Sequence, residues 1–268
     1  DGRLSLAEAE PRIRDASYAA WDATRNLLWV VEERAEGRVH GWRRSPEGWE
    51  DMGSASSGGA EPCFIAVAPD GRHLAVANYG SGSAALVSID PTSGRVSECA
   101  AVWQDHGRGS DPERQEGPHV HCTRFDGSGD AVWFTDLGLD RVFRWGLVEG
   151  SYPDVAEEVW QAPAGWGPRH LVPCGERMLV LCELSARLVL LDHGPERLRM
   201  VHSVPTSPDA GEGNLGGHLE VRGDEAFVTN RGGRHVGAVQ GFGRGTGARW
   251  RRIPAALRAA GFRGDRRQ

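Results

Sequence analysis

The chain has 268 residues, with 37 acidic and 31 basic side chains and a formal charge of −6 at neutral pH. A mildly acidic balance argues against nucleic acid as the main partner, and no run is long and apolar enough for a transmembrane helix. The length suits one large β domain or two small ones, and a steady repeat from residue 17 to 240 favours one.

The repeat is visible where apolar runs end in a polar residue. Aligned in chain order, these ends are Glu33, Asn78, Asp136, Glu183 and Asn230, at spacings of 45, 58, 47 and 47 residues. The long interval contains the polar segment 105–116. Each unit reads as short strands rich in Val, Leu and Trp, separated by Gly, Asp, Ser and Pro. Such a period is typical of four-stranded β-propeller blades, with a β-sandwich as the alternative.

The blades are expected near 11–58, 59–104, 105–162 and 163–206, and a fifth, with three strands, ends near Phe242. Residues 1–10 resemble the outer strand of a blade whose inner strands precede Asp1. We therefore predict an all-β domain over 1–242, an incomplete propeller of about five to six blades of four antiparallel strands.

Residues 243–268 break the pattern. They hold eight arginines and a single acid, Asp265. We predict a basic, non-propeller tail, which either binds an acidic partner or arises from a shifted reading frame or a truncated gene.

The cysteines favour a reducing compartment. There are five, Cys63, Cys99, Cys122, Cys174 and Cys182, and they are scattered over strand positions. An odd number of this kind indicates buried, reduced thiols in a cytoplasmic protein. No CxxC pair is present, so no structural zinc is expected. No signal-peptide pattern is present either.

Strand direction gathers polar side chains at one rim. The start of the first strand and the end of the second lie at the same edge of an antiparallel blade, and the first strand is nearest the axis. The rim residues so predicted are His119, His121, Arg169, His170, His218, Asp136, Glu183, Asn230 and Arg231. Ligand sites commonly occupy such a mouth.

Each candidate also has a structural interpretation. His119 could cap its strand, and Arg169 could form a structural ion pair with Glu183. Asn78, Asp136 and Asn230 suit turns in which the side chain bonds its own backbone. Arginines near Glu183 would lower its pKa, which fits an anion site better than an acid catalyst. No nucleophile, metal or phosphate-loop motif occurs.

At these residues the sequence resembles the seven-bladed propeller lactonases, which include a propeller-type 6-phosphogluconolactonase and a carboxymuconate-lactonising enzyme. The matching pieces span most of 60–236, and the GPHVH, GPRH and NRG elements at 117–121, 167–170 and 230–232 are the most specific. Generic propellers share only the Asp-Gly turns and the strand pattern.

The resemblance implies a catalytic group of one His, two Arg and one Glu, which fall by motif on His119, Arg169, Glu183 and Arg231. His121 is a second candidate for the base, and His121, His170 and His218 are expected to bind substrate. The histidine would activate water, while the arginines would hold the anion and stabilise the oxyanion. Neither metal nor cofactor is expected.

The leading hypothesis is a metal-independent lactonase acting on a sugar lactone such as 6-phosphogluconolactone, in the pentose phosphate pathway. Two alternatives stay open: a non-catalytic propeller that binds a ligand or protein, and a muconate-type lactonising cycloisomerase. We expect a cytoplasmic monomer whose partner is a small, anionic lactone rather than nucleic acid or a membrane.

Overall fold

A computed structural model of the chain describes residues 13–146, 148, 153–193, 197–207, 213–223, 225–231, 235–240 and 249–252. Within these ranges no helix is long and apolar enough to cross a membrane. Twenty strands are present, and their bounds are β1 Ala16–Asp22, β2 Leu27–Glu32, β3 Arg38–Ser45, β4 Gly48–Ser56, β5 Pro62–Val67, β6 His73–Asn78, β7 Ser83–Ile89, β8 Val96–Gln104, β9 Val120–Phe125, β10 Ala131–Asp136, β11 Arg141–Gly146, β12 Glu157–Gln161, β13 Pro168–Cys174, β14 Arg177–Cys182, β15 Arg187–His193, β16 Leu198–Pro205, β17 Gly216–Arg222, β18 Glu225–Asn230, β19 His235–Gln240 and β20 Arg249–Arg252.

The strands form five sheets, each of four consecutive strands in antiparallel order. The first strands of successive sheets are neighbours, with β1 against β5, β5 against β9, β9 against β13 and β13 against β17. The outer strands β4 and β8 also touch, as do β12 and β16. The prediction of an all-β, incomplete propeller with blades of four antiparallel strands is confirmed.

Apolar side chains fill the space between the sheets. Trp29 and Leu74 belong to a buried cluster between the first two sheets, while Phe134 and Val180 belong to a larger cluster spanning the second to fourth. Burying each such side chain contributes about 1.5–3 kcal/mol. The sheets therefore hold one another through the alternate residues that face their neighbours.

The fifth sheet corrects the expected strand count. It has four strands rather than three, because β20 pairs antiparallel with β19. β20 lies inside the segment 243–268, which was expected to contain no strand. The arginine-rich composition led to that expectation, but backbone pairing between strands tolerates arginine side chains. The rest of that segment, and the predicted strand in 1–10, lie outside the described residues.

Each first strand begins with the same irregularity. The pairing skips one residue in four sheets, leaving Ser17, Cys63, His121 and Arg169 without a partner on the second strand. In β17 it shifts across 217–218, opposite Thr229. A bulge of this type re-aims a side chain, and here it does so at the axis in all five sheets.

A second repeated feature fixes which residues are equivalent. In each sheet the residue after the second strand donates its backbone N–H to the carbonyl of the residue that immediately precedes the first strand. The pairs are Glu33 to Asp15, Tyr79 to Glu61, Leu137 to His119, Glu183 to Gly167 and Arg231 to Leu215. The equivalent positions are thus Glu33, Tyr79, Leu137, Glu183 and Arg231. The sequence alignment, which placed Asn78, Asp136 and Asn230 at this level, was shifted by one residue in three sheets.

Those three residues end their strands and are buried. Asn78 donates to the Ser57 carbonyl at 3.0 Å, and Asn230 donates to the Thr206 carbonyl at 3.1 Å. Asp136 accepts the backbone N–H groups of His119 and Leu139, and burial raises its pKa to about 6. Asp136 therefore has the expected turn role, whereas the two asparagines hold the incoming connection from the preceding sheet.

Candidate active site

A cavity of about 470 Å³ opens at the rim where the bulges and the second-strand ends meet. Its lining combines both repeated positions with one residue of the polar segment: Ser17, Tyr18, Glu33, Cys63, Tyr79, Arg114, His121, Arg169, His170, Gly217, His218, Thr229 and Arg231. This volume is in the range of small-molecule sites. Polar groups of different sheets therefore converge at one rim, as the strand directions predicted.

Three arginines surround the wholly buried carboxylate of Glu183. Arg114 donates to Oε1 at 2.8 Å, Arg169 donates to Oε2, and Arg231 approaches Oε1 and Oε2 at 3.3 and 3.5 Å. Charge-assisted hydrogen bonds of this kind are the strong ones. The structure thus brings together Arg169, Glu183 and Arg231 as predicted from the sequence, and adds Arg114.

The arginines decide the ionisation of this carboxylate. Burial alone would raise the pKa of Glu183, but the charge of Arg169 and the contacts of Arg114 and Arg231 outweigh it and lower the pKa below its usual value. Glu183 is therefore an anion that holds cations in place. It is unsuited to donate a proton.

His121 is the bulge residue of the third sheet and lines the cavity. Its Nε2 accepts a hydrogen bond from Arg169 Nη1 at 2.6 Å, so that in the neutral ring Nδ1 carries the proton. Nδ1 lies 3.5 Å from the thiol sulfur of Cys63, the bulge residue of the second sheet. Burial, and then the charge of Arg169, lower the pKa of His121 to about 3.

His119 lies outside this lining. Its ring stacks on Tyr79, with centroids 4.3 Å apart, while Nδ1 lies 3.0 Å from the Tyr79 carbonyl and Nε2 lies 3.1 Å from Glu116 Oε1. Tyr79 itself lines the cavity and meets His121 edge-on. The structure therefore places His119 behind Tyr79, where it supports the cavity wall.

His170 and His218 line the cavity, as expected of the substrate-binding candidates. His170 is buried and accepts the Leu219 N–H at Nδ1, at 3.4 Å, and burial lowers its pKa well below the usual value. His218 is more exposed, and burial also lowers its pKa. The two rings meet nearly at right angles, with centroids 4.9 Å apart. Because both pKa values are lowered, the rings are neutral and form an uncharged part of the cavity wall.

Sequence reasoning did not place eight of the cavity residues at the rim: Ser17, Tyr18, Glu33, Cys63, Tyr79, Arg114, Gly217 and Thr229. Glu33 was already aligned with Glu183 in the repeat, and its place at the rim follows from that alignment. Tyr79 could have been found as the repeat-equivalent of Glu183 and Arg231, had the alignment of the second sheet been shifted by one. Cys63 follows Pro62 as Arg169 follows Pro168, which is a usable signal. Arg114 belongs to no repeat, and nothing in its local sequence marks it.

The fold and this cavity define a class: a β-propeller with an arginine-lined cavity at the mouth of its axis. The family described as "Lactonase, 7-bladed beta-propeller" matches residues 1–239. The chain belongs to that family.

A relative of known name agrees with this membership, and solved structures agree with the fold. The 6-phosphogluconolactonase of Bacillus subtilis is 27% identical over 240 residues, covering 85% of this chain and 67% of that protein. The solved structure of the Pseudomonas aeruginosa periplasmic gluconolactonase PpgL has a TM-score of 0.77 at 23% identity, covering 93% of this chain and 73% of that one. A Lactobacillus plantarum protein also gives 0.77, at 24% identity and 88% and 70% coverage. These two structures support the fold alone.

The chain is shorter than its relatives. It spans about two thirds of the B. subtilis protein and 58% of a relative from Arthroderma benhamiae that is 27% identical and covers 81% of this chain. Five sheets are described here, where the family has seven blades.

Proposed function

We propose that this protein hydrolyses a sugar lactone that carries an anionic group, with 6-phosphogluconolactone as the first substrate to test. The observation that carries the proposal is the convergence of Arg114, Arg169 and Arg231 on one buried carboxylate beside a neutral histidine, in a cavity of about 470 Å³. The family membership supports lactone chemistry, and the B. subtilis relative is named for this reaction.

The chemistry needs a polarised carbonyl and a proton acceptor for water. Arg169, held by Glu183 and by the Gly217 carbonyl, is placed to donate to the carbonyl oxygen as negative charge develops on it. Water then attacks the carbonyl carbon and gives a proton to His121 Nε2. The ring C–O bond breaks, and the leaving alkoxide takes that proton.

In the free protein His121 Nε2 is occupied by Arg169 and its pKa is about 3. A substrate carbonyl oxygen that draws the Arg169 donor away frees this nitrogen, and the negative charge that develops on that oxygen offsets the positive charge beside it. Both effects raise the pKa of His121 towards the working range of a general base. The base is therefore activated by the substrate, and we assign the role to His121 rather than to His119.

The first experiment measures hydrolysis of freshly generated 6-phosphogluconolactone by the purified chain, against its spontaneous hydrolysis. Arg169→Ala is expected to lower kcat/KM about a hundredfold to a thousandfold, as loss of an oxyanion donor does. Arg72→Ala removes an arginine whose side chain is 64% exposed and serves as the control. A folded wild-type chain that gives no acceleration, or an Arg169→Ala variant that matches it, would reject the proposal.

We also propose that the protein acts in the cytoplasm as a monomer, within the pentose phosphate pathway. All five cysteines are free thiols, as a reducing compartment requires. Cell fractionation and sedimentation would test the two statements separately, and recovery from an oxidising compartment or as a stable dimer would contradict them.

A further inference from the structure

Arg114 is carried by the polar segment 105–116, which lengthens the connection between β8 and β9. The neighbouring Gln115 is wholly buried and donates through Nε2 to the Leu137 carbonyl at 2.8 Å. The backbone N–H of Arg114 donates to Asp111 Oδ1 at 3.1 Å. The segment is therefore tied to the rim, and it delivers Arg114 from outside the repeated blade positions.

Arg114 and Arg169 bind different oxygens of the buried Glu183 carboxylate. Arg169 binds Oε2 of Glu183 and is also bonded to His121, whereas Arg114 binds Oε1. Arg231 lies near both oxygens. A ligand held by Arg114 therefore binds through a different cation from the one that is bonded to the proposed base.

Arg114 retains hydrogen-bonding capacity towards the cavity. A guanidinium has five N–H donors, and the described contacts of Arg114 are one hydrogen bond to Glu183 and an interaction with Tyr79. Its side chain is 34% exposed and lines the cavity. Arg169, by contrast, already donates to three groups and is 16% exposed.

The balance of charge favours an anion beside it. Three arginines line the cavity, against the carboxylates of Glu33 and the buried Glu183. The neutral histidines do not change this excess. An arginine fork matches the oxygens of a phosphate in pairs, which an ammonium cannot do.

Building on the proposed lactone hydrolysis, we infer that Arg114 is a specificity-determining residue that binds the anionic group of the substrate remote from the ester, a phosphate monoester. The segment 105–116 is then the element that selects phosphorylated over unphosphorylated lactones.

The test compares Arg114→Gln, Arg114→Lys and the control Arg108→Gln, an exposed arginine in the same segment. Each is assayed on 6-phosphogluconolactone and on glucono-lactone, and its folding is checked by circular dichroism and thermal melting. Arg114→Gln is expected to lower the preference for the phosphorylated lactone about tenfold to a hundredfold, mainly through KM. The lysine variant recovers part of that preference and the control retains all of it.

Equal losses on both lactones would show a structural role for Arg114, and no loss would show no contact; either result overturns the inference. If the wild-type chain hydrolyses neither lactone, the proposed function fails, and calorimetry with 6-phosphogluconate and gluconate decides the inference instead. Tighter binding of 6-phosphogluconate that weakens about tenfold or more in Arg114→Gln supports it. The inference is rejected if the wild-type chain and Arg114→Gln bind 6-phosphogluconate equally, or if neither binds it detectably.

Discussion

The starts of β9 and β13 carry the same Gly-Pro motif, but they present different residues to the cavity. In β13 the motif 167–168 directly precedes the bulge, and Arg169 enters the cavity. In β9 the motif 117–118 lies two residues earlier, so the bulge residue is His121 and His119 lies behind Tyr79. Strand register, rather than the amino-acid sequence of a motif, decides which side chain reaches the cavity.

The early Gly-Pro of β9 has a packing role instead. A Cβ at Gly82 would overlap the Pro118 carbonyl oxygen, and one at Gly138 would overlap the Gly117 carbonyl oxygen. These glycines let the chain pass between the second and third sheets. The motif thus positions the strand, and the residue three places after its proline enters the cavity.

The most sensitive test of this difference between β9 and β13 replaces each of the two histidines of β9 and its approach separately. His121→Gln removes the proposed proton acceptor and is expected to lower kcat about a hundredfold or more. His119→Gln removes a ring that only supports Tyr79, and the expected loss is less than about tenfold. Single-turnover and steady-state hydrolysis of the lactone measure both.

An equal or greater loss in His119→Gln, with unchanged thermal stability, would return the role of base to His119. A pH profile separates the two cases, because removing a general base also removes the limb of the profile that reports its ionisation.

The packing role of the early Gly-Pro predicts a loss of stability. Gly82 has φ of +63° and contacts Pro118, whereas Gly175 has φ of +64° with nothing within 4 Å of an added Cβ. Gly175→Ala is expected to cost about 1 kcal/mol from backbone strain alone. Gly82→Ala adds the overlap and is expected to cost about 3 kcal/mol of unfolding free energy. Urea denaturation of both variants checks the difference, and equal losses would contradict the packing role.

The smallest expected effect is on the pH dependence of stability. The pKa of His121 is about 3 in the fold against 6.5 for the free side chain, so below pH 6.5 the unfolded chain binds a proton that the folded chain does not. Stability is therefore lost as the pH falls from 6.5 towards 3, by about 2 kcal/mol at pH 5.

His121→Gln is expected to reduce the loss of stability between pH 7 and pH 5 by about that amount, measured by urea unfolding at both pH values. His170 and His218, whose pKa values are also lowered, remain in both proteins and cancel in the comparison. The Glu183 contribution, present above its unfolded pKa of 4.5, is lost only at lower pH. An unchanged pH dependence would contradict a buried, neutral His121.

The sequence by itself determined the all-β fold, the repeat, the four strands of each of the first four sheets and the rim where the cavity lies. Alternating apolar runs, glycine turns and a regular period are local signals, and antiparallel geometry then fixes which strand ends meet. Arg169, Glu183 and Arg231 were found this way, because all three lie at repeated positions.

Only the tertiary structure decided the one-residue bulges, the exclusion of His119 and the arrival of Arg114. A bulge changes the direction in which one side chain points without altering composition or period. Aligning the sequences of β9 and β13 on their Gly-Pro motifs therefore pairs His119 with Arg169, although His121 is the equivalent residue. Arg114 reaches Glu183 across 69 positions of sequence, from a segment with no counterpart in the other repeats. The physical reason is the same in each case: these contacts depend on the register and packing between sheets, which no local pattern encodes.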